Sequence, residues 1–183
     1  AIGAIYNDGN GSNSGHVRVY QYDGSSWTQL GLDIDGEAAG DQNSRSVSLS
    51  SDGTIVSISS NYNSSSKGHV RVYQYDGSSW GQIGQDIDGE AGSDESGFSV
   101  SLSSDGTIVA IGARYNDGTT GNASDNRGHV RVYQYDGSSW GKIGQDIDGE
   151  AAGDNSGYSV SLSSDGTIVA IGAIYNDGNG SNS

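Results

Sequence analysis

The residues of this chain best equipped for chemistry are carboxylates, and they come in three runs. Asp33, Asp35 and Glu37 are followed by Asp41; Asp86, Asp88 and Glu90 by Asp94; Asp146, Asp148 and Glu150 by Asp154. In extended backbone a spacing of two puts each Asp pair on one side of the strand end. Gly36, Gly89 or Gly149 then permits a bend that carries the Glu back toward the pair. Hard oxygen donors at this density suit Ca2+, which takes about six to eight of them. The alternative is a solvated acidic turn that keeps a repetitive chain soluble.

Other residue types offer less. Asn10, Asn63, Asn122 and Asn179 each open an N-x-Ser sequon in a loop rich in Asn, Ser and Gly, the surface setting that N-glycosylation requires. His16, His69 and His129 recur at the start of one strand type, which spreads them outward instead of converging them on a metal. Arg18, Arg71 and Arg131, beside Tyr-x-Tyr pairs, suggest cation-π packing between units or a stacking platform for sugars. Trp27, Trp80 and Trp140 read as filler between units or as a contact surface. Near-identical units supply each residue in triplicate with no asymmetric cluster, and there is no H-E-x-x-H and no phosphate-binding Gly loop. The chain is therefore expected not to be an enzyme and to carry no catalytic residue.

Composition narrows the partners. A net charge of -15 repels nucleic-acid phosphate and anionic lipid alike, so neither is an expected partner. No apolar run approaches the roughly 20 residues that span a bilayer, and membrane insertion is not expected. Leu, Ile, Val and Phe together number 32 of 183 residues, a poverty that with this charge points toward disorder unless pattern rescues the fold. With no cysteine, disulfides and thiolate metal sites are excluded.

The pattern is a repeat. GHVRVYQYDGSSW recurs at Gly15, Gly68 and Gly128, and SVSLSSDGTIV at Ser46, Ser99 and Ser159. The equivalent residues Ala1, Ser57, Ala110 and Ala170 lie 56, 53 and 60 apart, yet each of His16, His69 and His129 precedes the next of them by 41. One loop absorbs the variation. Each unit reads as a meander of four strands: A (SVSLS), B (TIVAIGA), C (HVRVYQY) and D (SSWTQLGLDI in the first unit). Asp-Gly pairs close the A–B and C–D hairpins, and no segment has a helical period. The expected fold is all-β, in tandem four-stranded antiparallel blades of β-propeller type, with an open solenoid of the same units as the alternative. The expected divisions are residues 1–43 (strands B, C and D), 44–96 and 97–156 (complete) and 157–183 (strands A and B). Ala1–Ser14 and Ala170–Ser183 are the same fourteen residues, so the chain is expected to be an excerpt of a longer array.

Gly97-Phe98-Ser99-Val100, Asp105-Gly106, Ile111-Gly112-Ala113 and Gly128-His129 together resemble the FG-GAP repeat of integrin-type β-propellers. Gly157-Tyr158 through Gly172-Ala173 is a second copy, and Ser44-Arg45 with Ser59-Ser60-Asn61 a degenerate one. The resemblance extends to tandem FG-GAP-like repeats of large secreted proteins from algae and marine bacteria, which implies an extracellular location. Two departures stand out. The family's Pro after Gly-Ala is Ile5, Arg114 or Ile174, and its calcium loop between strands A and B is cut to Ser-Ser-Asp-Gly. The expected function is structural or adhesive, through self-association or neighbouring repeats in a filament or surface appendage. The alternative is a Ca2+-dependent module that binds glycans or surface proteins.

Overall fold

The structure, a computed structural model, describes residues 1–118 and 124–178, Ser64 without its side chain. All but one of its elements are strands. The first unit holds β1 (Ile2–Ala4), β2 (His16–Arg18), β3 (Tyr20–Tyr22), β4 (Trp27–Gln29) and β5 (Ile34–Asp35). The second holds β6 (Val47–Leu49), β7 (Ile55–Ser60), the single turn α1 (Asn63–Ser66), β8 (His69–Tyr75), β9 (Trp80–Gln82) and β10 (Ile87–Asp88). The third holds β11 (Ser96–Leu102), β12 (Ile108–Ala113), β13 (His129–Tyr135) and β14 (Trp140–Asp148), and the fourth β15 (Ser156–Leu162) and β16 (Val169–Ala173). α1 is too short to cross a membrane, and no other helix occurs among the described residues.

Pairing is antiparallel between all named strands, as tight hairpins require; in the first unit β5 pairs with β2, and β3 with β4. The third unit is the full pattern, β11-β12-β13-β14; the second runs β6-β7-β8, with β9 and β10 sharing the outer edge of β8. Register repeats between units: Ile2, Ile58 and Ile111 face Arg18, Arg71 and Arg131 respectively. The fourth strand is not the continuous run expected from sequence. Gly31, Gly84 and Gly144 adopt φ of 74°, 69° and 72°, a left-handed kink that splits the strand in the first two units. In the third unit the strand continues past the kink, with a register shift between Val130 and Val132.

The apolar residues are packed between units. One core joins Val70, Val72 and Ile87 of the second unit to Val100, Leu102, Val109, Ile111 and Trp140 of the third. Another joins Val17, Val19 and Ile34 of the first to Val56 and Ile58 of the second, with Trp80 packed against it. This placement is how so few aliphatic residues suffice: stacking lets one apolar layer serve two units.

Strand A presents a further contact, and its serines make it. The Val100 and Leu102 amides donate to Ser46 Oγ and Ser48 Oγ of the preceding unit at 3.1 and 3.0 Å, and Leu162 N–H donates to Ser101 Oγ at 3.0 Å. Amides on the open edge of one sheet are thus satisfied by side chains of its neighbour.

Candidate functional site

The polar centre of each unit is built on strand C. Alternation places its Arg on the face where the first Asp of the acidic run arrives from strand D. Arg18 grips Asp33 with Nε–Oδ1 at 2.9 Å and Nη2–Oδ2 at 2.8 Å, and Arg71 grips Asp86 at 2.8 and 2.7 Å in the same two-pronged way. Arg131 Nη2 reaches Asp146 Oδ2 at 2.7 Å. A second donor stands four residues ahead of each Asp: Gln29 at 2.7 Å, Gln82 at 2.8 Å, and Lys142 at 2.5 Å from the carboxylate. These donors, the Arg foremost, hold the Asp33 and Asp146 carboxyls down at about 2, and Asp86 is lowered by the same cause.

The Glu of each run completes the arrangement from the neighbouring unit. Arg71 also pairs with Glu37, and Arg131 with Glu90. Burial opposes the charge of Arg71 and Arg131, but the hydrogen bonds they donate to the two carboxylates outweigh it and raise both pKa values. Each triad, Glu37–Arg71–Asp86 and Glu90–Arg131–Asp146, therefore bridges the acidic run entering a unit to the sheet of that unit. Among the described residues Arg18 has Asp33 as its one carboxylate, and Glu150 has no arginine partner.

The other carboxylates proposed as ligands have separate positions. Asp35, Asp88 and Asp148 sit across the strand pair from His16, His69 and His129. Asp41, Asp94 and Asp154 accept from the backbone amides of Ala38, Ala91 and Ala151 at 3.0, 3.2 and 2.9 Å, which closes a turn. Asp94 and Asp154 also accept from Asn116 and Asn176. Among the described residues, two groups bring three ligand atoms within 4.8 Å of one another, His16–Asp33–Asp35 and Glu90–His129–Asp146. In each of them a carboxylate is already held by arginine, so a guanidinium occupies the place where a cation would gain most. The bend glycines have a different task from the one expected. A Cβ on Gly36, Gly89 or Gly149 would lie 2.1, 2.2 or 2.2 Å from the carbonyl oxygen of Ser14, Lys67 or Arg127, so close backbone approach demands the glycine.

Both described sequon asparagines have their amide nitrogens engaged. Asn10 Nδ2 donates to Gly36 O at 2.8 Å and Glu37 O at 3.1 Å, and Asn63 Nδ2 contacts His69 Nδ1. Asn122 and Asn179 lie outside the described residues. The histidines are buried at 6%, 2% and 4% exposure. Burial, aided by the adjacent Arg, lowers the imidazole pKa of His69 and His129. The strand C arginines form ion pairs, whereas the cation-π contacts belong to Arg45 and Arg114 over Phe98, at 4.3 and 3.8 Å. Tryptophan joins units: Trp80 Nε1 donates to Leu30 O and Trp140 Nε1 to Ile83 O, at 2.8 and 3.0 Å. Gly77-Ser78-Ser79-Trp80-Gly81 and Gly137-Ser138-Ser139-Trp140-Gly141 carry a G-x-S-x-G spacing. There the central Ser donates to the Asp that opens the hairpin, at 3.1 and 3.2 Å, and the turn joins strand to strand instead of strand to helix.

No curated protein matches the chain. In fold it is similar to a crystal structure from Bacteroides uniformis ATCC 8492, described as a candidate 6-phosphogluconolactonase, with TM-score 0.59 and 14% identity over 89% of this chain. The chain spans 42% of that structure's length. This likeness corrects the expectation that the chain is not an enzyme. That expectation took an array of near-identical units to be incompatible with catalysis, and a protein named for a catalytic activity shares the fold. The family model of the FG-GAP repeat matches residues 147–183. Residues 87–118 repeat 147–178 except at Gly92, Ser93, Glu95, Phe98 and Arg114. The chain is thus an all-β protein with an FG-GAP repeat at residues 147–183, and near-copies of that sequence precede it.

Proposed function

We propose that this chain is a length of extracellular structural or adhesive array, built from propeller-type blades whose neighbours are further repeats or further copies. The observation that carries this reading is the placement of both apolar cores and both Glu–Arg–Asp triads between units. Such contacts confer stability on an assembly and little on one unit alone. The serine bonds linking successive A strands support blades whose inner strands meet near an axis, over an open solenoid.

In this reading the acidic runs act as clamps between units, and Ca2+ has no part in them. Calorimetric titration with Ca2+ is expected to show no heat and no rise in melting temperature; a clear rise would restore the metal-dependent binding module. The function itself is tested by urea unfolding of arrays with two, three and four complete units. Stability is expected to climb with each added unit, and native material is expected to image as filaments or appendages. Equal stability at every length, or closed discrete rings alone, would overturn the proposal.

A further inference from the structure

Strand D of the first unit departs from its copies at a position that faces the next unit. Gln85 and Gln145 hold that position in the second and third units, and Leu32 holds it in the first. Between the second and third units Gln85 acts as a strap. Its Oε1 accepts from Trp140 N–H at 3.1 Å, and its Nε2 donates to Trp140 O at 2.9 Å. Register explains why these two backbone groups need an outside partner. Tyr135, opposite Trp140, sends its N–H to Thr107 O on the far side, so this pair exchanges no bond and both groups of Trp140 point away from β13.

The same register holds one unit earlier. Tyr75 lies opposite Trp80 and donates to Thr54 O, so the N–H and C=O of Trp80 also point outward. Leu32 has no polar side-chain atom to meet them, and among the described residues nothing else bonds to either group. Leu32 is instead 79% exposed, and Trp80 is half-buried where Trp140 is 4% exposed. Between them lies an open cleft of about 300 Å3, lined by Leu32, Tyr73, Ser79 and Trp80. Asp35 lines it too and is exposed. In a chain of net charge -15 such a cleft repels a carboxylate and favours a neutral or cationic group.

We propose that this cleft binds a glutamine side chain of a partner segment that carries lysine or arginine beside the glutamine. The carboxamide takes the place that Gln85 takes in the next junction, accepting from Trp80 N–H and donating to Trp80 O. Its methylene stem covers Leu32, and Asp35 attracts the flanking cation. The chain itself shows the fit, because the same two backbone groups in the same register hold a carboxamide one unit on. This binding role is additional to the structural one and stands without it.

Heteronuclear NMR of the 183-residue chain tests this with three capped tripeptides, Lys-Gln-Lys, Lys-Glu-Lys and Lys-norleucine-Lys. The glutamine peptide is expected to shift the Trp80 amide signal and to bind about tenfold tighter than the other two, the worth of two partly exposed hydrogen bonds. Leu32→Gln supplies an internal carboxamide and is expected to abolish that preference, whereas Leu32→Ala is expected to keep it. Before any peptide is added, the Trp80 amide should exchange with deuterium faster than that of Trp140, and L32Q should slow it. Equal binding of the three peptides, or a preference for glutamine that persists in L32Q, would overturn the proposal. So would a Trp80 amide as protected in the native chain as that of Trp140.

Discussion

Arg71 makes its strongest contacts with two acids that differ in setting, and this difference sets what each is worth. The Arg71 side chain is 10% exposed, against 33% for Asp86 and 60% for Glu37. Arg71→Met should cost about 1–3 kcal/mol in urea unfolding, because a half-buried Asp86 loses its partner. Glu37→Gln should cost under about 1 kcal/mol, as exposed pairs do. Acid should expose the same groups in two stages. Folding lowers the pKa of His69 and His129 by burial, so the neutral rings contribute fully above about pH 6.5 and lose that contribution as pH falls through the folded values. Asp33 and Asp146 are lowered to about 2, so their contribution is full above about pH 4 and disappears toward pH 2. Melting temperature in about 0.5 M salt, which screens the long-range repulsion of this acidic chain, should decline below pH 6.5 and fall steeply below pH 4. A maximum near pH 4 would contradict this. The acidic runs were visible in the sequence, but their partners were not. Glu37 and Arg71 belong to different units, and nothing in local spacing announces a long side chain reaching across.

At the level of elements, period-two alternation located strands A, B and C, because Val and Leu at every second position have one buried face to satisfy. The kink in strand D escaped that reading, since Gly31 and its equivalents look like ordinary strand glycines until their backbone is seen to turn left-handed. The serines of strand A alternate with its Val and Leu, and that alternation does not show that Ser46 and Ser48 accept amides from the adjoining sheet. Gly89 marks a tight crossing of the acidic run. Gly89→Ala would set a methyl carbon 2.2 Å from Lys67 O, so the run must shift away. It should cost more than about 1 kcal/mol in urea unfolding and weaken the Glu90–Arg131 pair with it; an unchanged midpoint would contradict the crossing.

Taken whole, the molecule holds one repeated side chain in two different settings. Trp27 is exposed where Trp140 is enclosed, although both occupy the same place in the repeat. In dilute solution iodide should quench the Trp27 emission while sparing Trp140, and Trp27→Phe should remove most of the quenchable signal. Equal quenching of the remaining tryptophans would contradict the packing. The need for stacking was legible in the sequence from the shortage of aliphatic residues. Which faces meet was not, since that depends on how consecutive sheets are turned relative to each other. Because each oily layer is shared by two successive units, a newly synthesised chain leaving the ribosome has nothing to condense around until a second unit follows the first. Birth is then its most protease-sensitive moment, and every later unit arrives on a template that is already set.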